Sequence, residues 1–341
     1  MFRGAVTTSL SAIAALCLSG AAVAQSADNQ PPEHTAGWPG LASGADDAAR
    51  NASMEQGPEL TRGVSVYELL RQETLLANTL GTLQPQRAGT IDAYVVTIAL
   101  DSDPVFAREA REAARVLSRR YGGEGRTITL AGPDGSQDDL PQGSIRALTL
   151  ALARVASVMD RDEDVLVLYS TSHGLPAGLA YHYGDTGYGI LSPERLKSIL
   201  DELQIERRVL ILSACYSGVF VPKLANDNTA ILTASAHNRT SFGCTPDNDW
   251  TFYGDAMINR ALRKKQTLKA AYQEAALAIA GWEARAYFPA SLPQISIGSS
   301  VEGWIAQLNA RTPTMAGEPV GRPSTEGLAD LLERARAGAR R

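Results

Sequence analysis

Over the middle of this chain apolar residues come in short unbroken runs, and between the runs they recur at helical spacing. The runs "AYVVTIAL" (93–100), "RTITL" (126–130), "DVLVLYS" (164–170), "RVLILSA" (208–214), "AILTAS" (230–235) and "QISIG" (294–298) predict six strands. The middle runs do not alternate with polar residues, as expected of strands covered on both faces. Asp103-Pro104 opens a helix to Arg119, and Gly143-Ser144 opens one to Met159. Ser192-Pro193-Glu194 sets a cap and a first-turn proline ahead of Leu196, Ile199, Leu200 and Leu203. Two further helices are expected at about 252–265 and 267–286. Strands alternating with helices predict a mainly parallel α/β sheet.

The flanks read differently. Residues 25–62 cluster Gln, Pro, Gly, Ala and Asp and predict a flexible leader, with His34 and Trp38 lacking partners. Residues 63–88 form a helical segment, in which Val66, Leu69, Leu70 and Leu76 mark one amphipathic helix. The folded domain then spans 89–308, and residues 309–341 drift into a peripheral tail with an Arg-rich, helical end. At the start, Arg3, the apolar centre from Ile13 to Leu18 and Ala22-Val23-Ala24 give residues 1–24 the layout of a secretory signal peptide. Export to the periplasm or the medium is expected, with retention of Gly4 to Ala24 as a membrane anchor the alternative. No later stretch of the sequence is long and apolar enough to span a bilayer.

Composition narrows the function without naming it. The chain has 341 residues, 44% hydrophobic and 20% charged, with a formal charge of −5 and no long basic run. That is ordinary globular composition, and it argues against a nucleic-acid partner. Removal of the signal peptide leaves two cysteines, Cys215 and Cys244. In an exported protein a disulfide between them is one reading, and a working thiol is the other.

Strand ends favour the thiol. In open α/β sheets the loops at the carboxyl ends of parallel strands share one rim, and sites form there. His173 follows the run 164–170 and Cys215 follows the run 208–214, two consecutive strands joined by a helical crossover. A right-handed connection makes them neighbours, so the imidazole and the sulfur are expected to meet. An imidazole can take a thiol's proton, and the thiolate attacks carbonyl carbon. The N–H groups of Gly174 and of Cys215 itself are candidate donors to the resulting oxyanion. Cys244, in "SFGCTPDND", lacks a strand end or histidine motif and reads as a spare thiol; His182 and His237 read as loop or rim residues. No cluster has metal-ligand spacing in the sequence, so neither metal nor other cofactor is expected.

His-Gly after one central strand and Ala-Cys-x-Ser-Gly after the next resemble the legumain (asparaginyl endopeptidase) family of cysteine peptidases, within the clan that includes caspases. "SACYSG" followed by "TASAHNRTSFGC" and "DWTFYGDAM" is most similar to the bacterial branch. The resemblance implies a caspase/haemoglobinase-like three-layer sandwich and an endopeptidase acting on peptides or proteins. It further implies a pocket for the residue before the cut, formed by Arg108, Ser235 and Asp255, suited to Asn or Asp. Ser213 departs from the Glu that the animal and plant enzymes carry two residues before the nucleophile. Two other readings share these residues: a silent caspase-like scaffold that binds partners, and a transamidase that resolves the same acyl-enzyme with an amine. A Gly/Tyr-rich stretch from Tyr183 to Gly189 reads as a loop beside the cleft.

Overall fold

The computed structural model describes residues 30–135 and 140–327, so the expected signal peptide and the Arg-rich end of the tail lie outside the described residues. The first ordered elements are a helix α1 (Asp47–Glu55), a short strand β1 (Glu59–Thr61) and a helix α2 (Val66–Gly81). The domain follows as β2 (Ala93–Ala99), α3 (Pro104–Tyr121), β3 (Thr127–Leu130), α4 (Ile145–Val158) and β4 (Val165–Thr171). Next come three short strands, β5 (Gly174–Leu175), β6 (Gly178–Tyr183) and β7 (Gly187–Leu191), then α5 (Pro193–Glu202) and β8 (Arg208–Ser213). The chain ends through α6 (Val221–Leu224), β9 (Thr229–Thr233), a π-helical turn (Gly254–Arg260), α7 (Leu268–Ala286), β10 (Gln294–Ile297) and α8 (Val301–Arg311).

All six expected strands pair in one sheet of order β10-β9-β8-β4-β2-β3, parallel except for the antiparallel edge strand β10. Period-two alternation sends Val95, Val167, Tyr169, Val209 and Ile211 to one face, where they pack with residues of α3, the π-helical turn, α7 and α8. Tyr94, Val96, Leu166, Leu168, Leu210 and Leu212 go to the other face and pack with α4 and α5. Both faces are therefore apolar, which is why the strand sequences show no polar alternation. The result is the expected three-layer sandwich with a mainly parallel six-stranded sheet. Ser144 and Ser192 cap α4 and α5 as read from the sequence, accepting from the N–H groups of Ala147 and Arg195.

Three expectations change. The Gly/Tyr stretch is not a loop: β6 and β7 form a hairpin within a second sheet, of order β1-β7-β6-β5. Glycines at 187 and 189 hid it by interrupting the apolar pattern. The leader, from residue 30 onward, is docked rather than free: β1 pairs antiparallel with β7, and the N–H groups of Thr35 and Ala36 both donate to Asp185. Third, the amphipathic helix buries only Leu76, while Val66, Leu69 and Leu70 face solvent. Among the described residues no helix is long and apolar enough to cross a membrane.

Candidate active site

The site begins as a matter of register. Ala99 pairs with Thr171 and Thr171 with Ser213, so the three central strands end in one aligned row. Two residues beyond that row stand Asp101, His173 and Cys215. The backbones of the last two turns touch: a Cβ on Gly174 would lie 1.8 Å from the Cys215 carbonyl oxygen, so only glycine permits this approach. After Cys215, Tyr216 adopts a left-handed conformation (φ 57°), a sharp turn into the short 3₁₀ segment Ser217–Phe220. Such backbone is sparsely populated for a non-glycine residue and characteristic of functional turns.

Beneath the row lies a polar node. Glu109 of α3 is fully buried and accepts hydrogen bonds from Tyr169, Thr171 Oγ1 (2.8 Å), Ser213 Oγ (3.0 Å) and both N and Oγ1 of Thr251 (2.9 Å each). Five donors satisfy the carboxylate and tie β4, β8, α3 and the chain before the π-helical turn to one another. Ser213, which stands where the animal and plant enzymes carry Glu, therefore donates to a buried carboxylate beneath the row.

His173 is held from three sides. Its Nε2 lies 3.2 Å from Asp103 Oδ2, Phe106 meets its ring edge-on at 5.0 Å between centroids, and Cys244 is near enough to act on its charge. Burial favours the neutral ring, but Asp103, Cys244 and Asp101 outweigh it and raise the His173 pKa to about 11. Burial likewise pushes the Asp103 carboxyl up, yet its hydrogen bond to His173 and the neighbouring imidazoles hold it below the ordinary range. Asp103 stands at the N-cap of α3 but makes no side-chain cap bond, because its carboxylate is turned to the imidazole. It opened a helix in the sequence. Applying the strand-end rule to β2 as well as to β4 and β8 is the signal that finds it.

Cys215 is partly buried and unbridged, as is Cys244. The Ser241 N–H donates to the Cys215 sulfur at 3.2 Å, and the sulfur lies 3.5 Å from the Ser241 carbonyl oxygen. The segment Ser241 to Cys244 thus reaches both functional groups, its first residue at the sulfur and its last at the imidazole. Cys244 packs beside Val105 and Phe106 near His173, as a packed thiol rather than a second strand-end nucleophile.

The expected pocket residues do not converge. The Arg108 guanidinium donates to the carbonyls of Pro246 and Asn248 and pairs with Asp249 at 3.5 Å. Asp255 is fully buried and satisfied by Asn259, Arg260 and both N and Oγ of Ser324. The π-helical turn aims it inward, and the tail segment around Ser324, expected to be peripheral, closes over it. Ser235 is also fully buried; its hydroxyl donates to the Ala214 carbonyl beside the nucleophile turn. An Arg108–Asp255 pair facing a substrate amide is therefore corrected: of the three, Arg108 alone reaches the surface. His237 is exposed after the fifth strand of the chain's central sheet, with its backbone N tight against Gly218.

A sulfur and an imidazole thus stand at one rim of a parallel sheet, with the Ser241 N–H on the sulfur. The model of the peptidase C13 family matches residues 144–304, which include both turns. The matched segment is similar to the peptidase C13 (legumain) family, and the chain is a cysteine-type endopeptidase. Among solved structures it is similar to caspase-1 from Spodoptera frugiperda, at 14% identity and a TM-score of 0.42, covering 63% of this chain and 88% of that one. No curated protein sequence matches it.

Proposed function

We propose that the protein is exported and cuts peptide bonds with Cys215 as nucleophile and His173 as its proton partner. The observation that carries this reading is the common register, which puts both residues two positions beyond one aligned row of strand ends. The raised pKa of His173 refines the role expected from the sequence: at neutral pH the ring rests as an imidazolium, the natural counter-ion of an attacking thiolate. Substrate entry displaces the Ser241–Cys244 segment. The thiolate then attacks the scissile carbonyl carbon, and the N–H groups of Gly174 and Cys215 receive the oxyanion. The imidazolium gives its proton to the departing amine, leaving a thioester on Cys215. The neutral ring next takes a proton from water, whose oxygen attacks the thioester and releases the acid. Asp103 keeps the ring oriented through both steps and favours its charged form whenever it holds the extra proton.

Residue preference rests on Arg108, a partly exposed cation beside the Pro246–Asp249 segment that suits Asp or Asn before the cut. The basic start, the apolar centre and Ala22-Val23-Ala24 support export. The test is a peptide-library digest with wild type and Cys215→Ala side by side. Cleavage clustered after Asp or Asn, absent from the variant, is the expected result. Equal cleavage by both proteins removes the nucleophile assignment, and cleavage without preference removes only the role of Arg108.

A further inference from the structure

A second cluster of titratable groups lies along the same rim, outside the reacting pair. His182 on β6 is bridged to Asp101 by backbone: its N–H donates to the Leu100 carbonyl, and the Ser102 N–H donates to its own carbonyl. The leader brings in His34, whose Nε2 lies 3.1 Å from Asp101 Oδ1 and whose Nδ1 lies 2.9 Å from His182 Nε2. Trp38 Nε1 donates to His182 Nδ1 at 3.3 Å. One arrangement of hydrogens satisfies all three contacts: His182 donates through Nε2 to His34, and His34 donates through Nε2 to Asp101.

One atom is left over. Asp101 is 2% exposed, yet its Oδ2 has no hydrogen-bond partner, and His182 Nδ1 lies 3.9 Å away. A buried carboxylate oxygen without a partner is costly, and here it faces the gap between two imidazoles. One donor atom from each of His34, Asp101 and His182 lies within 4.8 Å of the others. A metal bonded at ~2.0–2.1 Å in tetrahedral geometry separates its ligand atoms by roughly 3.3 Å, so small rotations suffice. Two imidazoles and one carboxylate suit a borderline first-row cation rather than calcium or magnesium.

We propose that His34, Asp101 and His182 form a binding site for a divalent transition cation of the zinc type, which clasps the leader to the catalytic domain. Two ligands are set by the domain's own strands and the third arrives from residues before it, so occupancy fastens the leader beside Asp103 and His173. The fourth position is open to water, and Trp38, at the surface, turns its N–H to solvent when His182 Nδ1 is taken.

The test uses the full chain carrying Cys17→Ala, Cys215→Ala and Cys244→Ala, which removes thiols as competing ligands. Zinc is titrated by calorimetry, and cobalt(II) by its visible absorption. One equivalent should bind with a dissociation constant on the order of micromolar or tighter, and cobalt should give ligand-field bands without thiolate charge transfer. His34→Gln and His182→Gln should each weaken binding by about tenfold or more. His34 lies in the leader outside the central sheet, so its variant stays informative even if His182→Gln unfolds. No saturable binding up to millimolar zinc, or affinity unchanged in His34→Gln, overturns the proposal.

Discussion

Two carboxylates, Asp103 and Asp255, lie on the same side of the sheet, each in contact with a cation, and they have opposite work. Asp103 is part-exposed at the rim, and its single ion partner of functional weight is an imidazole that must gain and lose a proton. Asp255 is sealed beneath the tail with Arg260, Asn259 and Ser324 around it, so its charge is wholly committed to the fold. Motif comparison alone marks Asp255 as a site residue and passes over Asp103. Burial separates them: a carboxylate with every lone pair engaged by protein has none to offer a substrate.

Substitutions can break this contrast. The largest difference is expected between the two thiols that flank the rim. Cys215→Ala should lower peptide hydrolysis by about a thousandfold or more, while Cys244→Ala should leave the activity within about tenfold of wild type. Comparable losses in initial-rate assays of the two variants would dissolve the distinction between nucleophile and neighbour.

Asp255→Ala comes next, and its effect belongs to stability. Removing the carboxylate strands the Arg260 and Ser324 donors and should cost about 3 kcal/mol, read from urea midpoints. The cleavage profile of the protein that remains folded should not change. A changed profile at unaltered stability would return Asp255 to the substrate pocket.

Asp103→Asn should cut kcat/KM by roughly 10–100-fold and bring the alkaline limb of the pH profile down from its position near 11. A merely structural aspartate would lower thermal stability without moving that limb. The smallest effect follows from the same pair by linkage. The folded-state pKa of His173 is raised, so the stability it contributes is fully present below the free-histidine value of 6.5 and is lost as pH rises toward about 11. The urea-midpoint gap between wild type and Asp103→Asn should therefore be wider at pH 6 than at pH 9.5. A gap that widens with pH would contradict the assigned imidazolium.

The same contrast explains what could be read in advance. The placement of His173 and Cys215 at one rim could be read in advance because it depends on strand order and register, and both leave a trace in the spacing of apolar runs. Asp103 was visible only as a helix start, and Cys244 only as a leftover thiol, because their roles arise when the β2–α3 turn and the chain after β9 fold back over the rim. The docking of the leader was hidden for a different reason. Its anchors are single polar residues, Thr35 on Asp185 and His34 on Asp101, and isolated polar contacts have no periodicity.

By itself the sequence determined the layers of the sheet, the order of helices and strands, and the delivery of a thiol and an imidazole to one edge, since burial of unbroken apolar runs admits few other arrangements. The tertiary structure alone decided which charged groups face that edge and which are consumed inside. Side-chain partners separated by a hundred or more residues, such as Glu109 with Thr251 or His34 with His182, are chosen by packing geometry in three dimensions, and linear spacing carries no record of that choice.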